Sequence, residues 1–242
     1  MSKNKVIFTR LLICDSQHIV LPSDAAGLLS ITEQERLQHI RHPQQAKLFL
    51  LGRYLLRQLL GDTLSLPPQC IAIKINARGK PQLLQPDWHF NISHSGSTLA
   101  LAISNQAPVG IDVEGRQLSS TQIHRLARRY FSAAEQDWLS RHNSADAFLR
   151  LWTIKEAVLK AHGGGIANNL SAVCWQPDNN EAHFDSASYR LHQYQYQHSR
   201  LTLAINSPLN SKVACLSPRD LPFELEITGP QPNLDKHAMN NA

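Results

Sequence analysis

The sequence predicts an α+β fold, and three observations carry that prediction. Ser30-Ile31-Thr32-Glu33 and Ser132-Ala133-Ala134-Glu135 both match the S-x-x-E capping box that opens helices. Short runs rich in Val, Ile, Phe and Leu, bounded by Gly, Pro, Asn or Ser, read as strands. In each half of the chain helices lead into several short strands, not into a regular strand–helix alternation.

Taken in order, Lys5 to Cys14 reads as the first strand. A helix opens at Ile31 and breaks at His42-Pro43, because a residue before proline avoids the helical region. Pro43 then starts a second helix, which is expected to run to about Leu60 and stop at Gly61. Its apolar stripe is Leu48, Leu51, Leu55 and Leu59. Arg36, Arg41, Lys47, Arg53 and Arg57 decorate these helices, either as solvated charge or as a basic collar for phosphate. Ile71 to Ile75 is a short strand, and Ala77 to Pro81 a tight connection. Trp88–Ser93 and Ser97–Ser104 read as strands joined by a small polar turn, His94-Ser95-Gly96.

The second half begins with a strand, Val109 to Glu114. Helices are expected from Thr121 to Tyr130, after Ser132, and from Ala145 to His162, the last capped by Ser144 and ended by Gly163. Leu170–Trp175, Tyr189–Tyr196, Leu201–Ile205 and Val213–Leu216 read as strands. This gives an N-terminal half over 1–107, a C-terminal half over 108–227 and a flexible tail over 228–242.

The 242 residues, 42% hydrophobic and 18% charged, suit a packed core. The formal net charge of +5 favours an anionic partner. The basic residues are dispersed, aromatics are only 7%, and no nucleic-acid motif appears, so a nucleic-acid module is disfavoured. Cys14, Cys70, Cys174 and Cys215 form no CxxC, and each has an apolar neighbour. They read as reduced, buried structural thiols. Arg10 interrupts the apolar run near the start, so a signal peptide is rejected, and no stretch approaches a membrane span. A cytoplasmic location is expected.

In Val109-Gly110-Ile111-Asp112-Val113-Glu114, strand alternation turns the apolar residues one way and Asp112 and Glu114 the other. Such a pair is either a solvated sheet face, contributing little to stability, or a seat for a hard divalent cation such as Mg²⁺. On the last helix, Trp152, Glu156 and Lys160 are spaced four apart and share one face. Glu156 and Lys160 are either a surface ion pair, or a third carboxylate facing Asp112 and Glu114 with a lysine for a phosphate oxygen. Asn91-Ile92-Ser93-His94-Ser95-Gly96 is plain turn chemistry or an anion cradle, and Lys80 a loop lysine or a phosphate contact. No P-loop, GxGxxG, GxSxG or HExxH is present.

Gly110 to Glu114, followed by Trp152-Thr153-Ile154-Lys155-Glu156-Ala157-Val158-Leu159-Lys160, resembles the signature pair of the 4′-phosphopantetheinyl transferases. Gly79-Lys80-Pro81 and Asn91 to Ser95 resemble two further motifs of the Sfp-type branch of that family. The resemblance runs from about Glu33 to Gly165. It implies a pseudo-dimer of two similar α+β halves, monomeric, with the active site in the cleft between them. It also implies transfer of 4′-phosphopantetheine from coenzyme A to a serine of an acidic acyl or peptidyl carrier protein, releasing adenosine 3′,5′-bisphosphate. By the same resemblance Asp112, Glu114 and Glu156 match Mg²⁺ ligands, Glu156 a catalytic base, and Lys160 a phosphate-contacting catalytic lysine. Lys80, Ser93, His94 and Lys155 match the coenzyme A-binding set, in which Arg36, Arg41, Lys47 and Arg53 are candidates to stand in for family lysines and arginines replaced here by Glu33 and Gln34. Another Mg²⁺-dependent nucleotidyl transferase or phosphohydrolase is the rival activity, and a nucleic-acid-binding module a weaker one.

Overall fold

A computed structural model of the chain describes residues 8–85, 87–166, 169–175, 180–207 and 212–236. The fold is α+β, as the sequence predicts. Its strands are β1 (Thr9–Asp15), β2 (Ile19–Val20), β3 (Ile73–Ile75), β4 (Pro81–Leu83), β5 (His89–Ser95), β6 (Thr98–Ser104), β7 (Val109–Glu114), β8 (Cys174–Trp175), β9 (Glu181–Phe184), β10 (Ala187–Tyr196), β11 (Ser199–Ile205), β12 (Val213–Leu216), β13 (Glu226–Ile227) and β14 (Asp235–Lys236). Its helices are α1 (Ile31–His39), α2 (Pro43–Leu64), α3 (Ser120–Tyr130), α4 (Ala133–His142) and α5 (Ala145–His162).

Two sheets dominate. One has the order β12-β1-β6-β5, the other β7-β11-β10-β9-β8 with β14 added against β10. Strand alternation explains how they stack. On β6, Leu99, Leu101 and Ile103 join a core with Leu51, Leu55 and Leu59 of α2. The small residues between them, Ala100 and Ala102, face Ile111, Leu201 and Leu203 of the other sheet in a separate core. A third core lies between the far side of the second sheet and α5, through Phe148, Leu151, Val158, Tyr189 and Leu191. The layers are therefore α2, sheet, sheet, α5.

The local signals place α1 at its capping box, α4 at its own, and α5 from Ala145 to His162 with Gly163 at φ 77°. The predicted stop at Gly61 is corrected. Helix α2 continues to Leu64 and is capped by Ser65 in the left-handed region. Gly61 serves a close approach instead, since a Cβ there would sit 2.8 Å from Leu66 O. His94 and Ser95 belong to β5, and the tight turn is at Gly96, φ 57°. Leu170–Ala172 is a short 3₁₀ turn before β8, and β9 was not anticipated, its Glu-Ala-His-Phe lacking the β-branched residues that mark strands.

The first strand is seen from Thr9, the residues before Phe8 lying outside those described. Val213–Leu216 leaves the second half and pairs in parallel with β1, so the first sheet is completed by a distant strand. Thr228 to Lys236, read from sequence as part of a flexible tail, instead makes contacts. Thr228 N bonds His18 O, Gln231 Oε1 accepts from Asp15 N, and β14 pairs with β10. Cys14 is buried, but Cys70 and Cys174 are exposed and Cys215 is half-buried; all four are free thiols. The single apolar neighbours read as burial do not fix it. Among the described residues, no helix is long and apolar enough to cross a membrane.

Candidate active site

The site forms where α5 crosses β7. Gly110 permits the crossing: a Cβ there would run into Ala157 O and Ala161 N of the helix backbone. With that approach, the face of α5 bearing Glu156 and Lys160 lies over the carboxylate side of β7. Lys160 Nζ is 2.5 Å from Asp112 Oδ1, 3.0 Å from Ser93 Oγ and 3.8 Å from Glu156 Oε2. Ser93 Oγ also donates to Asp112 Oδ1 at 3.3 Å. No described bond reaches Asp112 Oδ2.

Of the two alternatives for this strand face, the solvated one is excluded for Asp112, which is only 4% exposed. Helix α5 and β5 cover it. Burial, with the nearby charges of Glu156 and Glu114, outweighs Lys160 and pushes the Asp112 carboxyl up to about 7. Glu114 is more firmly held. Its Oε1 accepts from Ser95 Oγ, Gly115 N and Arg116 N, and its Oε2 pairs with Arg116 Nε at 3.0 Å. The Arg116 guanidinium lies 5.0 Å from the Trp152 ring centroid. Glu156 is bonded least, with Lys160 at 3.8 Å.

His94 is exposed beside this group. Partial burial of its ring, then the charge of Lys160, hold its imidazole below the usual histidine range. Lys80 reaches the same helix from the β3–β4 hairpin. Its Nζ donates to the carbonyls of Lys160 and Ala161, the latter at 3.3 Å, and so caps the negative end of α5. Burial lowers the Lys80 ammonium to about 8. A cavity of about 420 Å³ opens at this end of the helix, lined by Arg78, His162, Asn169, Phe184 and Asp185.

Lys155 is elsewhere. Adjacent helical residues are rotated by about 100°, so the neighbour of Glu156 points into the core. There Lys155 is fully buried and pairs with Glu135 at 2.9 Å, also donating to Leu170 O and Val173 O. Arg36 is exposed over Phe49 and Lys47 is half-buried; no described contact ties either to Lys160. Arg53 and Arg57 are not a solvated collar, because both are buried against Glu33 at 3.1 and 2.5 Å. Sequence reasoning missed Arg116, and it quoted Gly110, Asn91 and Ser95 within motifs without giving any of them a role of its own. The i, i+2, i+4 spacing of Asn91, Ser93 and Ser95 was the available signal.

Comparison with known proteins shows what the chain is similar to. Residues 22–106 match a family model described as 4′-phosphopantetheinyl transferase, N-terminal, and residues 108–213 match the 4′-phosphopantetheinyl transferase superfamily. A putative 4′-phosphopantetheinyl transferase of Synechocystis sp. is 33% identical over 71% of each chain. The 4′-phosphopantetheinyl transferase Sfp of Bacillus subtilis is 33% identical over 69% of this chain and 68% of its own. The chain belongs to the 4′-phosphopantetheinyl transferase family. A further relative in Aneurinibacillus migulanus is 41% identical over 48% of each chain. Membership of the 4′-phosphopantetheinyl transferases decides between the rival activities. Transfer of phosphopantetheine from coenzyme A to a carrier protein is favoured, and the phosphohydrolase and nucleic-acid readings are not. In this family member, Gly110 to Glu114 and Trp152 to Lys160 lie on elements packed against each other.

Proposed function

We propose that the Asp112–Lys160–Glu156 group is the transfer site, working with one Mg²⁺ and with coenzyme A bound at the seam between β5 and β7. The observation that carries this is Lys160 Nζ, placed within 3.8 Å of two carboxylates and a serine hydroxyl from three different elements.

The donors suit Mg²⁺. Asp112, Glu114 and Glu156 are hard oxygen ligands, and among the described residues the cations paired with them are Lys160 and Arg116. Asp112 Oδ2 and the loosely bonded Glu156 have oxygens to offer. As they stand, no three acidic, His or Cys side chains among the described residues converge on one point. Asp112, Glu114 and Glu156 are the residues that would hold the ion. When bound, it would polarise the coenzyme A pyrophosphate and offset its charge.

The chain's own residues divide the remaining work. The carrier serine oxygen forms a bond to the pantetheine-side phosphorus, and the bond to adenosine 3′,5′-bisphosphate breaks. Glu156, the least committed carboxylate, takes the serine proton. Lys160 donates to the phosphoryl oxygens as their charge spreads, where positioning and neutralisation matter more than covalent help. His94 contacts the coenzyme A phosphates from the exposed side of β5. Ser93, whose hydroxyl already serves Lys160, Asp112 and Val113 N, acts through them. The net charge of +5 and the exposed Arg125, Arg128 and Arg129 of α3 suit an acidic carrier. We read the chain as a cytoplasmic monomer of two functional halves.

Intact-mass measurement tests this. An apo carrier protein incubated with coenzyme A, Mg²⁺ and this protein should gain one phosphopantetheinyl group, and EDTA should abolish the gain. A carrier whose mass stays unchanged across acyl and peptidyl carriers, while coenzyme A is hydrolysed, would return the site to a phosphohydrolase.

A further inference from the structure

Among the described residues, no backbone pairing joins the two main sheets. β5 is an edge strand of one sheet and β7 of the other. β7 pairs with β11 along one side, in the register Ile111↔Leu203, Asp112↔Thr202, Val113↔Leu201. On its other side, alternate backbone N–H groups point at β5. Buried edge donors of this kind are costly unless something accepts from them. Three side chains do. Ile111 N donates to Asn91 Oδ1 at 2.9 Å, Val113 N to Ser93 Oγ at 3.3 Å, and Gly115 N to Ser95 Oγ at 3.1 Å, the last shared with Glu114 Oε1 at 3.1 Å. Each bond spans 20 residues, so the two strands keep step.

The hydroxyls that accept from the backbone also give their protons to the site. Ser93 Oγ donates to Asp112 Oδ1 and Ser95 Oγ to Glu114 Oε1 at 3.2 Å. One row of side chains thus fixes where β7 lies and how its carboxylates are turned. We propose that this side-chain ladder sets the register between the half bearing His94 and the half bearing Asp112 and Glu114, with Asn91 and Ser95 as positioning residues for the transfer reaction. The proposal rests on the reading of that site given above.

The physical reason is the precision of the join. A ladder of backbone bonds would bring β5 and β7 to ordinary strand spacing and make one continuous sheet. Side-chain acceptors instead hold the strands at a distance set by Asn and Ser. They leave β7 free to present Asp112 and Glu114 to α5. Small displacements matter here, because a shift of about 1 Å in a reacting geometry costs up to roughly 100-fold in rate.

The test uses Ser95→Ala, Ser95→Thr and Asn91→Leu. Amide hydrogen exchange on the metal-free protein reads the ladder directly, and steady-state transfer to an apo carrier with coenzyme A and Mg²⁺ reads positioning. Ser95→Ala should speed exchange of the Gly115 amide by about 10-fold, and Asn91→Leu that of Ile111. Both should lower kcat by about 10-fold with the KM for coenzyme A within about 2-fold, at an unchanged circular dichroism spectrum. Ser95→Thr, which keeps the hydroxyl, should restore exchange and kcat together. Unchanged exchange at Gly115 and Ile111 would remove the ladder. Faster exchange with wild-type kcat would remove the positioning role. A wild-type protein that transfers to no carrier would sink the site reading and the positioning role with it, while the exchange rates would still decide the ladder.

Discussion

Lys160 Nζ lies 2.5 Å from Asp112 Oδ1, although the residues are 48 positions apart and belong to different elements. Gly110, two residues before Asp112, is what allows it. The α5 backbone occupies the space where a side chain on Gly110 would be.

Gly110→Ala should therefore be severe. The colliding atoms are the backbone atoms Ala157 O and Ala161 N, which cannot swing aside as a long side chain would. The helix must move off β7, at a cost of about 1–3 kcal/mol for overpacking. Thermal unfolding should show a lower Tm, and transfer activity should fall further than the stability loss explains. A variant with wild-type Tm and rate would mean that α5 does not approach β7 this closely.

The two charged residues of α5 should fail differently. Lys160→Met keeps most of the stem and loses the charge, so kcat should drop with little change in the KM for the carrier. Glu156→Gln should lose nearly all its rate and the pH-dependent rise that a general base confers. Partial rescue of Glu156→Gln by excess Mg²⁺ would make Glu156 a metal ligand only. If both variants transfer normally, Glu156 and Lys160 have no part in the reaction.

Asp112 should leave a mark on the pH dependence of stability in metal-free protein. In the folded chain burial raises its carboxyl from 3.8 to about 7. Between those values the folded state holds a proton that the unfolded state has lost. This contribution to stability is full below about 4 and declines as pH rises through 7. Denaturant titrations from pH 4 to 8 should show the decline in wild type and its reduction in Asp112→Asn. Parallel curves for the two proteins would place Asp112 in water. Because Asp112 is buried, Asp112→Ala is not the mild surface change that a solvated strand would make it.

Lys155→Met should be a stability variant. Removing one partner of the buried Lys155–Glu135 pair leaves a carboxylate without its cation, typically at a cost of about 3 kcal/mol. For a chain of this size that is a fall in Tm of roughly 6–12 °C. The KM for coenzyme A should stay near wild type in the folded fraction at low temperature. A raised KM with an unchanged Tm would restore Lys155 to the coenzyme A site.

Much of the fold was written locally. Ser30 and Glu33 close a capping box by bonds over three residues, as do Ser132 and Glu135, and Ser119 and Gln122. Pro43 opens α2 and Gly163 ends α5 for reasons contained in a single residue's backbone. Alternation along Val109 to Glu114 correctly separated its two faces. It could not say that the acidic face is roofed by a helix.

Local spacing and residue type were enough for the helix starts, the stripe on α2, the acidic and basic residues of the site, and the family resemblance. These depend on spacing of three or four residues along a helix or two along a strand. The tertiary structure decided which of the neighbours Lys155 and Glu156 faces the site, and that Ser93 is bound to Lys160 and Asp112. It also made Lys80 the cap of α5 and let Asn91 and Ser95 finish the edge of β7. Those contacts join residues 19 to 81 positions apart. They exist only once two sheets and a helix have packed, and packing also removes the water that would otherwise keep Asp112 an ordinary carboxylate.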